Sequence, residues 1–377
     1  MGNQGYEAEA ARLRASFEAE ARKSPDAKTI LNSGLIDNAV ETALSLVVSD
    51  SPGPAPVVSA LEAGGLDKVS AALANNISDF TERLERPDSD RQAEQLRYAI
   101  AQLAWTRGAL SACQSLEEGR KWYEVAIDFA PDNFWLRVEA VKFLLWIGKE
   151  GDARDWITEL PPLADDPDAL VTALSEFGDI QERRGDCAAA LFYYEMAIGI
   201  LEGIAGADPE NLQARLDLSR AHVDLARMQE ATGDTGAAFE SRAASLAAAR
   251  ELMSAAAPGD RLLAELYAGQ LVDHALAQRE AERWDDAERH YREALAALDG
   301  AESPHPSGLF VAGLCHEGLG DIREAQQAAG DAAEAWAQAR DLYRACDGHG
   351  DIPEEMRDRA RNRLAEVEEK LAAAAGN

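Results

Sequence analysis

One short corner recurs along this chain at a nearly fixed interval. Gly185-Asp186, Gly233-Asp234 and Gly330-Asp331 leave Glu282-Arg283 in the expected place between the last two, giving intervals of 48, 49 and 48 residues. Ala190, Ala238, Ala287 and Ala335 follow the marker by five residues, and Gln181, Gln229, Gln278 and Gln326 precede it by four. A unit copied at least four times points to a stack of repeats, each burying its apolar face on its neighbours.

The corner has a readable chemistry. Glycine just past a helix supplies the left-handed residue that ends it, and the following Asp can accept hydrogen bonds from the first amides of the next helix. The second helix of each unit closes at a proline-containing segment: Ala207-Asp-Pro-Glu-Asn211, Ala257-Pro-Gly-Asp260, Ser303-Pro-His-Pro306 and Gly350-Asp-Ile-Pro353. Proline cannot continue a helix, so these are the joints between units. Two short joints in 48 residues leave about 20 residues per helix, roughly 30 Å of rod. Composition agrees: alanine is roughly a fifth of the 377 residues and aromatics only 6%, which favours helices over strands. The expected fold class is all-α, an α-solenoid of helical hairpins.

The same grammar appears earlier in shorter form, in Gly119, Tyr123, Ala126 and Pro131, and again in Gly148 and Ala153. With Phe177-Gly178, Gly185, Ala190, Tyr194 and Ala197 added, the chain resembles the tetratricopeptide repeat (TPR) family. Phrases such as Leu216-Asp-Leu-Ser219 and Leu319-Gly-Asp-Ile-Arg-Glu-Ala-Gln326 resemble a long-unit bacterial TPR subfamily. Members of that subfamily accompany caspase-like, kinase or nucleotide-switch domains in signalling and defence, and no such effector is written in this sequence. The copies also depart from the pattern. Arg242 and Ala339 stand where the aromatic belongs in the fourth and sixth, and Leu319-Gly320-Asp321 stands three residues early relative to the third.

The resemblance implies a TPR-like solenoid of about six helix pairs over residues 91–352. Residues 1–90 do not fit the repeat. They read as helices from about Tyr6 to Lys23, Asp26 to Val48 and Val57 to Arg86, with a joint at Ser51–Pro56 and an apolar face of Ile30, Leu35, Ile36, Val40, Leu44 and Val47. A helical bundle capping the stack is expected there. Residues 353–377 read as a C-terminal capping helix, with Met356, Leu364, Val367 and Leu371 on one face.

Charge narrows the partners. With 68 acidic against 37 basic side chains the formal charge is −31, which disfavours nucleic acid. The first residues carry no apolar leader, and apolar runs such as Val141–Ile147 fall short of the ~20 residues of a membrane span. A cytoplasmic location is therefore expected. Gly2 lacks the Ser or Thr that myristoylation needs, Tyr6 standing there. The four cysteines are widely spaced and expected to be small buried hydrophobes.

No catalytic, cofactor or metal constellation emerges. The six histidines are scattered, and His222 and His274 fall where other copies have packed apolar residues. Cys315-His316 and Cys346…His349 lack a paired zinc spacing. Asp347-Gly-His-Gly-Asp351 lacks the closing Glu of a calcium loop, Asp358 standing in its place. The repeated glutamines suggest a ladder along the stack or simple partial exposure, with the lining of a ligand path as the alternative, and Trp105, Trp122, Trp135, Trp146 and Trp156 concentrate in one stretch. In TPR proteins ligands bind a concave groove formed by the first helix of each hairpin. Matching the pattern places Trp135, Lys142, Trp146, Asp179, Glu182, Arg220, Arg227, Glu230 and Arg279 there. The chaperone-tail clamp is not expected, since Ser175 and Asp179 replace its Lys and Asn. The expected function is a non-catalytic scaffold or adaptor that docks a peptide or helical segment, basic overall with an acidic anchor. A sensory regulator shifted by a small peptide or metabolite is the alternative.

Overall fold

The structure, a computed structural model, describes residues 3–48, 66–164, 166–208, 210–255, 259–299, 305–350 and 352–375. They form helices and no strands, in two compact units, Met1–Tyr193 and Tyr194–Asn377. The sequence joints at Ser51–Pro56, Pro209, Pro258 and Pro304, and the helix start at Val57, lie outside the described residues.

The first unit runs α1 (Asn3–Ala21), α2 (Ala27–Leu31), α3 (Leu35–Val48), α4 (Leu66–Leu84), α5 (Asp90–Ser111), α6 (Leu116–Phe129), α7 (Phe134–Trp146), α8 (Glu150–Ile157), a 3₁₀ turn at Pro161–Leu163, α9 (Pro167–Arg183) and the start of α10 (Cys187–Ala207). α5 pairs with α6 and α7 with α8, while α1 packs on α3, and α3 and α4 on α5. Ile77 of α4 is buried with Ile100, Ala104 and Ala126, and Trp105 and Trp122 pack against that cluster. Two of the five neighbouring tryptophans thus join α4 to the first hairpin.

The single helix expected from Asp26 to Val48 is two helices. Ser33 Oγ donates to the Ile30 carbonyl (3.0 Å) and accepts from the Leu35 amide (3.4 Å), so a polar Asn32-Ser33-Gly34 turn replaces the helical ladder. Ile30, Leu35, Ile36, Val40 and Leu44 are nonetheless all buried, which is why apolar spacing alone does not reveal the break.

The second unit holds the rest of α10, then α11 (Leu212–Ala231), α12 (Thr235–Ala255), α13 (Arg261–Glu280), α14 (Trp284–Asp299), α15 (Pro306–Ala325), α16 (Ala329–Asp347) and α17 (Glu354–Ala375). α11/α12, α13/α14 and α15/α16 are hairpins. α12 packs on α13, α14 and α13 pack on α15, and α17 closes on α16. Val367 and Ala360 of α17 are buried beside Phe310, Trp336 and Tyr343, with Met356, Leu364 and Leu371 packed around them.

The corners are helix-ending left-handed residues, with φ of +76° at Gly148, +78° at Gly185, +86° at Gly233 and +58° at Glu282. The next amide reaches back to the repeated glutamine: Asp186 N to Gln181 O (2.9 Å), Asp234 N to Gln229 O (2.8 Å), Arg283 N to Gln278 O (2.8 Å). Asp186 and Asp234 then accept from the amides of Ala189 and Ala237, both at 3.0 Å.

The sixth hairpin corrects the sequence register. Its left-handed residue is Gln327 (φ 61°), and Ala328 N donates to Arg323 O at 2.9 Å. Gly330-Asp331 lies inside α16. The interval from Glu282 is 45 residues, so Leu319-Gly320-Asp321 is in register after all, Ala332 replaces Ala335 as the small residue, and the aromatic is Trp336, not the position of Ala339. Trp336 is 2% exposed. Its indole lies so close to Gly320 that a Cβ there would come within 2.4 Å.

α10 qualifies the membrane expectation. Its 21 residues are long and apolar enough, with mean hydropathy 1.4, to cross a bilayer by length and composition, and a third of that stretch is buried.

Candidate functional site

α3, α7 and α9 enclose a cleft of about 250 Å³ in the first unit. Its lining brings Gly34, Asp37, Asn38 and Glu41 together with Lys142 and Trp146 of α7 and Glu176, Asp179, Ile180 and Arg183 of α9. The break between α2 and α3 has a purpose here: a Cβ on Gly34 would lie 2.7 Å from Trp146 Nε1. Only glycine lets the chain cross that indole. Asn38 donates to the Tyr123 hydroxyl (3.2 Å), tying α3 to α6, and Asp37 pairs with Arg14 of α1.

Lys142 sits at the centre of this cleft. Its ammonium is 2.8 Å from Glu139, 3.0 Å from Glu176 and 5.9 Å from the Trp146 ring centroid. Burial lowers its pKa, but the two carboxylates outweigh it and the net shift is upward, so the side chain stays charged. Burial raises the pKa of Glu139 against the opposing pull of Lys142. Four carboxylates and two cations line the cleft, a net negative mouth with an aromatic wall.

Of the nine residues picked from sequence, Lys142, Trp146 and Asp179 therefore meet in one place. Trp135, on the same α7, is 48% exposed and stands edge-on to Phe134 at 5.0 Å, away from the cleft lining. Glu182 of α9 is half-buried and also outside that lining. In the second unit each arginine picked from sequence has an acidic neighbour, so the basic spot expected at Arg220 and Arg227 is an ion-paired surface: Arg220 is 3.7 Å from Asp217 and Arg227 2.9 Å from Asp224. Glu230 pairs with Arg242. Arg279 is a strut, 2.5 Å from Asp321 on α15. Asp321 also accepts from Trp336 Nε1 (3.0 Å) and Lys370 of α17 (2.6 Å).

The glutamines are not a ladder between copies. Gln229 Oε1 accepts from Ser241 Oγ and Gln278 Oε1 meets His290 Nδ1, both at 2.8 Å, twelve residues on in the same hairpin. They clasp the two helices of the fourth and fifth hairpins, while Gln181 Oε1 in the third accepts from Arg184 at the end of its own helix at 2.8 Å. Gln326 is out of register, with Arg323 in the equivalent place. His274 is 6% exposed, 4.8 Å from the Phe239 ring and 5.3 Å from His290. Burial, with His290 adding to it, pushes its pKa down to about 4. Burial likewise lowers His222. Among the described residues no three His, Cys, Asp or Glu side chains converge as a metal site.

Sequence reasoning missed the contribution of Gly34, Asp37, Asn38 and Glu41. They come from outside the repeat, and no periodicity links them to α7 and α9.

No protein-family model matches the chain, and no curated protein matches it. Solved structures resemble it. RapI in its apo form is 11% identical over 89% of this chain and 86% of that one, with a TM-score of 0.46. A signal-transduction ATPase with a tetratricopeptide repeat sensor from Pyrococcus horikoshii is 13% identical over 81% of this chain, which spans only 43% of that protein, with a TM-score of 0.43. The C-terminal part of a TPR repeat-containing protein from Cytophaga hutchinsonii is 13% identical over 74% of this chain and 93% of that one, with a TM-score of 0.41. By its own left-handed corners, Gln clasps and small-aromatic-small second helices, the chain has the fold of a tetratricopeptide-type helical repeat protein.

Proposed function

We propose that the chain is a non-catalytic scaffold that docks a peptide or helical segment of basic character, with the α3/α7/α9 cleft as one recognition point. The observation that carries this reading is the meeting of Trp146, Lys142 and Asp179 with Asp37 and Glu41 from outside the repeat in one open, net acidic cleft. An aromatic wall with satisfied charges around it suits a side chain that is partly apolar and cationic at its tip, as Lys and Arg are. A signalling or defence setting in a bacterial cytoplasm is the context that the subsidiary sequence resemblance suggests.

Selection of peptides from a displayed random library tests this. Lys- and Arg-rich sequences are expected to enrich on the native chain and to lose that enrichment on the Glu41→Lys, Asp179→Lys double variant. Enrichment of acidic sequences, or an unchanged profile on the double variant, overturns the reading.

A further inference from the structure

The repeats supply a reference for what each position normally holds, and in the second unit two positions break that reference side by side. Five residues before the corner the hairpins hold Phe143, Ile180, Met228 and Ile322, all buried. The fifth hairpin holds Ala277. Nine residues after the corner they hold Ile157, Tyr194, Tyr291 and Trp336, again all buried. The fourth hairpin holds Arg242, whose guanidinium turns to Glu230. Ala277 and Arg242 line one cavity of about 370 Å³, which Phe239 and Arg283 also wall. Two large apolar groups are thus missing from one spot, and space remains where they would be.

We propose that this cavity is a socket for one uncharged aromatic side chain of a partner chain. Phe239 presents a ring that its 4.8 Å contact with buried His274 holds in place, giving an occupant a surface to stack on. The Arg283 guanidinium already stands 5.3 Å from that ring centroid, and a second ring between Arg242 and Arg283 gains the same attraction. The occupant needs no charge of its own, because the carboxylates Glu230 and Glu280 of the lining balance its two cations, Arg242 and Arg283, with Glu230 pairing directly with Arg242. The group that fits is of the kind that fills the matching space in the other hairpins. A volume of this size is ample for a single ring.

The socket lies in the second unit, and its test needs no partner, so its failure and that of the basic-peptide reading are independent. The chain labelled with ¹³C at alanine methyls is titrated with indole and followed by NMR. The Ala277 and Ala281 methyl signals, both from the cavity lining, are expected to move upfield and saturate in the millimolar range. Ala277→Ile restores the residue type of the other hairpins and is expected to abolish the saturating shift at Ala281. Ala281→Leu, at an exposed position on the rim, is expected to weaken binding at least tenfold and serves where Ala277→Ile does not fold. Absence of a saturating shift in the native chain, or equal indole affinity in the variants, overturns the proposal. So does tighter binding of benzoate or benzamidine than of indole, which would assign the cavity to a charged ligand.

Discussion

Exchanging residues at the sixth corner gives the sharpest check on the register, because the two candidate corners predict opposite signs. Gln327 holds φ at 61° and its side chain is exposed, so Gln327→Gly removes strain without removing a packed group. A non-glycine residue in the left-handed region costs about 1–2 kcal/mol. Glycine returns about 0.4–1 kcal/mol of that through the freer unfolded chain. The variant is therefore expected to be about 0.5–1 kcal/mol more stable. Gly330 lies within α16, and a Cβ added there meets nothing within 4 Å. Gly330→Ala, in the first turn of α16, is expected to be neutral or to gain up to about 0.5 kcal/mol, less than a replacement in mid-helix. If Gly330-Asp331 were the corner, Gly330→Ala would place a Cβ in the left-handed region and lose about 1–2 kcal/mol, and Gln327→Gly would weaken the last turn of α15. Urea denaturation reads the midpoint at unchanged slope, and hydrogen exchange at the Ala328 and Ala332 amides localises the effect. A lower midpoint for both variants refutes the register.

Three further outcomes follow from packing and charge. Gly318→Ala would bring a Cβ within 2.3 Å of the buried Tyr291 ring and is expected to lose about 1–3 kcal/mol through overpacking, recovered in part by Tyr291→Leu in the same urea assay. Lys370 is 3.0 Å from Glu317, which is 4% exposed and accepts from the Tyr343 hydroxyl at 2.9 Å; Lys370→Ala leaves that carboxylate with Arg363 at 3.6 Å and is expected to cost about 1–3 kcal/mol, detected as a lower thermal midpoint. Burial raises the pKa of Asp273 from 3.8 to about 6 against the pull of Arg242 and Arg359; the favourable contribution of its protonated form is full below 3.8 and is lost as pH rises through about 6. Asp273→Asn is therefore expected to gain about 1–3 kcal/mol over the native chain at pH 8 and little at pH 4, by denaturation across that range. Taking the difference between the two chains cancels the opposed contribution of His274, which is present above pH 6.5 and lost as pH falls toward about 4.

Much of the fold is legible because helix ends have local chemistry. Gly148, Gly185 and Gly233 can be placed at corners from a single residue type, and Glu282 from its interval, since only the two joints of a unit need special backbone. The sixth corner misleads for a physical reason: a Gly-Asp pair in the first turn of a helix looks the same in sequence as one that ends the preceding helix. The Asn32-Ser33-Gly34 break is hidden because apolar spacing continues through it, while the Trp146 indole that leaves room only for glycine at Gly34 is over a hundred residues away. Lys142, Trp146 and Asp179 are legible as one face by repeat matching. The acidic wall from α3 is not, because it depends on how a segment outside the repeat packs.

Recurrence itself separates residues that hold this fold from residues that shape its cavities. The glutamine four residues before the corner recurs, and its bonds stay inside its own hairpin: Gln229 and Gln278 reach Ser241 and His290 on the partner helix, and Gln181 accepts from Arg184 at the end of its own. That conservation among copies is a requirement of the hairpin, so the glutamines are poor candidates for a ligand. The positions that break the pattern behave differently. Ala277 and Arg242 replace buried apolar groups, and both line a cavity. The α12/α13 contact near them mixes polar and apolar groups: Ser245 Oγ lies 2.7 Å from Gln270 Oε1 on α13 and 2.8 Å from Ser219 O on α11, with one proton to give to either, while Leu246 and Ala249 of α12 pack with Tyr267 and Leu271 of α13 in an apolar cluster that continues to Tyr291 and Cys315. Internally satisfied hydrogen bonds cost little stability, so the Ser245 and Gln270 contact holds the two helices together beside space that Ala277 and Arg242 leave unfilled. The fourth and fifth hairpins are thus where this stack can maintain a cavity, and where the exceptions to its repeat have chemical meaning.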